Sequence, residues 1–149
     1  MAAAQPLLDG PFNEHAVFSP DGHWIAFVTD ESGRDEVYVQ PYPGPGRKWA
    51  ISTAGGREPV WSRDGRELFF RNGEQMLVVD VEFGESFAPG QPRVLFEGPY
   101  ELSPLPNQFY DVAPDGERFV MIQRVDNPPT EIRVVLNAID EIRRRWAEE

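Results

Sequence analysis

Two histidines, two motif serines and three aspartates are the side chains through which this chain could do chemistry. His15 and His23 lie eight residues apart, one ahead of an apolar segment and one inside a turn, so they do not read as a metal pair. Ser19 and Ser62 could be nucleophiles, and Asp21, Asp64 and Asp115 could ligate calcium. Each of these recurs at one place in a repeated turn, however. A hydroxyl or carboxylate that satisfies nearby backbone groups explains them better. The sequence has no Gly-x-Ser-x-Gly elbow, Walker loop, dinucleotide fingerprint or His-Glu-x-x-His pair. It has no cysteine either, which removes disulfides, thiolate ligands and a thiol nucleophile. No catalytic residue, metal or cofactor is expected.

Charge narrows the partners. The 149 residues carry 25 acidic and 14 basic side chains, a net charge of −11, with Lys48 the single lysine. Nucleic-acid binding needs cations that displace counterions, so nucleic acid is not an expected partner. The 40% of apolar residues suffices for one core. Met1 to Gln5 lacks a basic leader, and no apolar run approaches the roughly 18 residues of a membrane span, so the chain reads as soluble, without membrane insertion. A processed form could have lost such a segment.

The elements that position these residues come in repeats. Fifteen prolines are spread along the chain, about twice the usual share. Between them lie short stretches rich in Val, Ile, Phe and Tyr. Phe18-Ser19-Pro20-Asp21-Gly22, Trp61-Ser62-Arg63-Asp64-Gly65 and Val112-Ala113-Pro114-Asp115-Gly116 share one pattern, their aspartates 43 and 51 residues apart. Proline presets φ for a type I turn, Asp tolerates the second position, and Gly takes the left-handed conformation that closes a hairpin. Arg63 replaces the proline in the second copy. Each copy continues into a strand, a second turn such as Asn72-Gly73, and another strand. A meander repeating every 40 to 50 residues is a propeller blade.

The stretch Phe-Ser-Pro-Asp-Gly-x-Trp-Ile-Ala-Phe-x-x-Asp-x-Ser-Gly-x-x-x-Val-Tyr-Val at positions 18 to 39 resembles the TolB-type, WD-repeat-like β-propeller repeat. That repeat also occurs in prolyl-oligopeptidase-like peptidases. Pro41-Tyr42-Pro43-Gly44-Pro45-Gly46 and the segment from Trp61 to Phe69 are most similar to the C-terminal part of TolB-like propellers attached to bacterial serine/threonine kinases. The resemblance covers about Gln5 to Arg145. It implies a structural role for Asp21, Gly22, Asp64, Gly65, Asp115 and Gly116, and a periplasmic or other extracytoplasmic setting that the residues themselves do not fix.

The resemblance further implies four strands per blade and six blades per ring. The expected fold is all-β: three four-stranded antiparallel blades, half of a six-bladed propeller, over residues 1–137. Blades fall at about 9–53, 54–97 and 98–137. A short amphipathic helix follows at 138–149, with Ile139, Ile142 and Trp146 on one face. The strands expected are Ala16–Phe18, Trp24–Thr29, Glu36–Gln40 and Trp49–Thr53, then Pro59–Trp61, Glu67–Arg71, Met76–Val81 and Arg93–Phe96. Phe109–Val112, Arg118–Gln123 and Glu131–Leu136 complete the set, leaving the third blade one strand short.

Three blades leave raw faces and an open edge. A homodimer could close the ring, residues 5–8 of one copy completing the third blade of the other across an isologous interface. Missing blades of a larger chain are the alternative, and a half ring selected or engineered for closure is another. Around the axis, Glu14, His15, Arg57, Glu58, Gln108 and Phe109 are the candidate ligand-binding residues, for a peptide or polar ligand; strand-end residues merely solvated at a channel rim are the plainer reading. The function expected is a non-catalytic binding or assembly module. The alternative is the propeller part of a larger enzyme, a serine/threonine kinase sensor or a prolyl-oligopeptidase-like peptidase.

Overall fold

The structure is a computed structural model that describes residues 13–44, 46–83, 87–104, 107–123 and 132–135. The strand expected at 5–8 and the helix expected at 138–149 lie outside the described residues.

Turn chemistry and alternation build three antiparallel sheets. In the first, β1 (Asn13–Phe18), β2 (Trp24–Thr29), β3 (Glu36–Pro41) and β4 (Trp49–Ala50) lie side by side in chain order. The second contains β5 (Arg57–Trp61), β6 (Glu67–Asn72) and β7 (Gln75–Phe83). Its β8 (Phe87–Pro89) and β9 (Arg93–Glu97) both pair with β7. The third consists of β10 (Tyr110–Val112), β11 (Phe119–Ile122) and β12 (Ile132–Val135). No helix occurs among the described residues.

The three Asp-Gly turns share one hydrogen-bond scheme. The Gly22, Gly65 and Gly116 amides donate back to the carbonyls of Ser19, Ser62 and Ala113 at 2.9, 3.0 and 2.9 Å. All three glycines sit at φ of 73 to 74°, where a Cβ would be strained. The Ser19 and Ser62 hydroxyls donate to Asp21 and Asp64 at 2.5 and 2.8 Å and accept from the amides of Trp24 and Glu67. Ala113 has no hydroxyl. There Arg118 donates to Asp115 instead, at 2.8 Å.

Alternation along the middle sheet sends side chains both ways. Leu68, Phe70, Val79 and Val81 pack towards the first sheet, against Ala26, Val28, Val37 and Val39. Phe69, Met76 and Val78 point the other way, against Tyr110, Phe119 and Met121 of the third. Phe69 meets Phe119 edge-to-face at 5.3 Å. Towards the rim of the first two sheets, Trp24, Trp49 and Phe87 form an aromatic triangle with centroids 5.0 to 5.6 Å apart.

The outer strands depart most from expectation. β4 ends at Ala50, not Thr53, because the chain there turns onto a buried carboxylate. Glu36 accepts from the Ser52 hydroxyl and from the Gly55 amide at 3.0 Å, and Ile51 and Ser52 both donate to the Val37 carbonyl. In the second sheet β8 is an unexpected strand, its pairing continued by the Gly90 amide donating to Asp80 before Pro92 leads into β9.

Two measurements test this account. Phe69→Ala should cost about 3–5 kcal/mol in urea unfolding, since it empties the junction between two sheets. The turn aspartates set an acid limb. Backbone amides of Arg66 and Glu117 chiefly hold Asp64 and Asp115 below the ordinary value of 3.8. For Asp21 burial raises the value, but hydrogen bonds from Ser19 and His23 outweigh it. Groups with lowered folded pKa stabilise fully above the unfolded value, and that stability is lost as pH falls through the folded value. Asp64→Asn should therefore be less stable than the parent at pH 6, and the gap should narrow in thermal melts as pH falls below 3.8.

Candidate functional site

The starts of β1 and β5 are bulged at the same place, between Glu14 and Val17 and between Arg57 and Val60. Within those bulges His15 and Glu58 hold φ of 50° and 55°. Such left-handed backbone is uncommon for residues other than glycine, and it recurs here at equivalent points of two repeats. The bulge re-aims both side chains.

Glu58 points inward and is buried. Its carboxylate accepts from the Ser103 amide at 2.8 Å and the Phe109 amide at 3.4 Å, while its carbonyl accepts the Tyr110 hydroxyl at 2.6 Å. Nearby, Arg71 is also buried and donates to the carbonyls of Gly73 and Gln75 at 2.9 and 3.2 Å, and to that of Tyr100 at 3.3 Å. Burial lowers the Arg71 pKa against the opposing pull of the Glu58 charge. Burial also lifts the Tyr110 phenol well above its ordinary value, and the Glu58 charge adds to the rise. Tyr100, Ser103 and Phe109, between β9 and β10, are thus tied down from within.

His15 reaches the same segment. Its Nε2 lies 2.8 Å from the Asn107 carbonyl, which can only accept, so that nitrogen carries the proton. Its Nδ1 is buried without a hydrogen-bond partner. Glu14 pairs with Arg57 at 3.5 Å, and Arg57 also meets Asp35 at 3.0 Å. Gln108 is exposed and Phe109 half-buried. Of the six residues expected at the axial mouth, the structure brings Glu14 to Arg57 and Glu58 to Phe109. It binds His15 to the loop ahead of β10. Glu58 is not a lining group: its bulged backbone turns the carboxylate into the junction of the second and third sheets.

The other end of the first strands holds a groove that joins one of those six residues, Gln108, to residues outside the six. Val17, Phe18, Pro20, Trp61, Arg63 and Gln108 line a groove of about 320 Å³. Phe18 is 55% exposed and meets Tyr42, itself 40% exposed, edge-to-face at 5.0 Å. The signal available was Arg63, which breaks the Pro-Asp-Gly pattern of its sister turns. Among the described residues, no three His, Asp or Glu side chains converge as metal ligands.

Solved structures share this fold. TolB from Acinetobacter baumannii matches with a TM-score of 0.60 and 18% identity, covering 87% of this chain and 31% of its own. A structure described as TolB from Agrobacterium tumefaciens gives 0.55 and 18%, over 82% of this chain and 44% of that one. One described as a 6-phosphogluconolactonase from Bacteroides uniformis gives 0.52 and 24%, over 83% and 36%. These identities show fold alone: an all-β, TolB-like β-propeller architecture. The chain spans between about a third and under half of the length of these structures. No protein-family model matches the sequence, and no curated protein matches it.

The buried tie makes a specific prediction. Glu58→Ala leaves two amides without acceptors, which should cost about 1–3 kcal/mol. Hydrogen exchange should show the Ser103 and Phe109 amides losing protection while those of β6 keep theirs. Unchanged exchange at Ser103 would refute the tie.

Proposed function

We propose that this chain is a non-catalytic β-propeller module for binding and assembly, its three sheets being blades of a six-bladed ring that a second copy completes. The observation carrying this reading is an interior position left open. Counting from each Asp-Gly turn, Ala26, Phe69 and Val120 are equivalent, and so are Val28, Arg71 and Ile122. In the first two sheets these side chains face the next sheet and are at most 2% exposed; in the third, Val120 and Ile122 are 38% and 40% exposed. Repeated apolar positions left in water are the mark of a face built to be covered. A second copy supplies the missing blades in a C2 arrangement.

The partial coverage of the similar structures favours a second reading. There the missing blades, with a kinase or peptidase domain, belong to a longer chain of the type attached to bacterial serine/threonine kinases. Mass in solution separates the two. Light scattering across a dilution series should give twice the 16.9 kDa of the chain, and Ile122→Asp should halve it. A folded monomer at every concentration would refute closure by a second copy and leave the longer-chain reading.

A further inference from the structure

Arg63 is the one lysine or arginine among the described side chains without a partner. Among the described side chains, every other lysine and arginine has a carboxylate, a backbone carbonyl or an aromatic face within reach. Want of anions is not the reason, since the chain carries 25 acidic residues. Its place in the repeat is also particular. Arg63 occupies the turn position that Pro20 and Pro114 hold elsewhere, where proline presets the backbone. Arginine gives up that benefit and puts a guanidinium at the groove.

The groove has one chemical character on each side of Arg63. On one side Phe18, Pro20 and Trp61 form walls without a carboxylate. On the other, Asp64, Glu67 and Asp115 line a second groove and repel anions. An anion held by Arg63 is therefore directed onto the aromatic side. Phe18 and Tyr42 keep much of their ring surface in water there, beside a proline.

We infer that this groove binds an extended peptide segment of a partner protein, a proline or aromatic residue lying against Phe18, Pro20 and Trp61 and an acidic side chain pairing with Arg63. Aromatic-lined grooves take extended, proline-bearing segments at low cost in ordering. The planar guanidinium suits a carboxylate in bidentate contact. A volume of about 320 Å³ is at the small end of ligand pockets and fits a short contact of a few side chains. The net charge of −11 repels an acidic peptide at long range. That repulsion is screened beyond about 10 Å at 0.1 M salt, which leaves the local pair to decide. The inference rests on the reading of the chain as a binding module and not on ring closure, because both walls of the groove come from one chain.

The test is a titration of the full ¹⁵N-labelled chain with acetyl-Pro-Trp-Glu-Pro-amide and with its counterpart carrying Gln in place of Glu. Saturable shifts should centre on Phe18, Trp61 and Arg63, and the Gln peptide should bind about tenfold more weakly. Arg63→Pro, which restores the residue of the sister turns, should lose the same factor while keeping the melting temperature. Should that variant fail to fold, Arg63→Gln is the measurement read. No saturable shift at millimolar peptide, shifts centred on Glu14 and His15, or equal binding by the Arg63 variant would each overturn the inference. A monomeric chain that still binds the peptide would sink only the ring.

Discussion

The middle sheet has to bury both of its faces at once, and the rest of the molecule follows from that demand. Leu68 and Phe70 face the first sheet while Phe69, between them, faces the third. A slip of one residue would exchange these sets and put each core against the wrong neighbour. Register must therefore be pinned at the hairpins, and the Asp-Gly turns do this with side chain as well as backbone. One carboxylate oxygen in each turn accepts an amide two residues on, at 3.0 to 3.1 Å, before the next strand begins. Where the serine is lost, at Ala113, Arg118 takes over the contact to the aspartate, so the fold keeps the constraint while changing the residue that supplies it.

Burial on two faces leaves a difficulty at the strand ends, where polar backbone must also be covered. Arg71 is equivalent to Val28 and Ile122 yet is fully buried as an arginine. Its surroundings explain the exchange. The carbonyls of Gly73, Gln75 and Tyr100 converge on it, and Glu58 supplies a nearby negative charge. A buried charge is costly unless its donors are satisfied, and here the loop carbonyls satisfy them. The same cluster holds Tyr100, Ser103 and Phe109, which lie between β9 and β10.

Local features were legible in the sequence and long-range ones were not. The strand at Trp24–Thr29 and the three turns depend on residues within a few positions of one another, and alternation with turn chemistry suffices to place them. β4 stops early because Glu36 gathers Ser52 and Gly55, sixteen and nineteen residues away, which no local pattern announces. β8 escaped notice because three residues ending in proline carry little strand signal. At the start of β5, the equivalence of Glu58 with His15 was readable from the repeat. The burial of Glu58 was not, since it depends on Ser103 and Phe109, 45 and 51 residues on. Arg63 was visible as a departure from its sister turns, but its lack of a partner is a fact of three dimensions.

The two ends of the first strands consequently offer a ligand different terms. At the bulged end, Glu58 and His15 already hold the loop ahead of β10, and Glu14 already holds Arg57. A ligand that displaces those contacts breaks internal hydrogen bonds, and each buried group left unpaired costs about 1–3 kcal/mol. At the turn end nothing need be broken. Phe18 and Tyr42 have ring surface in water, and covering it removes apolar area from solvent, while Arg63 has an unused charge that an anion can pair. Repeat architecture allows this division, because each turn is fixed by its own aspartate and glycine and leaves the residue before the aspartate free to vary. The fold keeps proline there in the first and last turns, and at the middle turn the backbone constraint is strong enough to carry an exposed arginine.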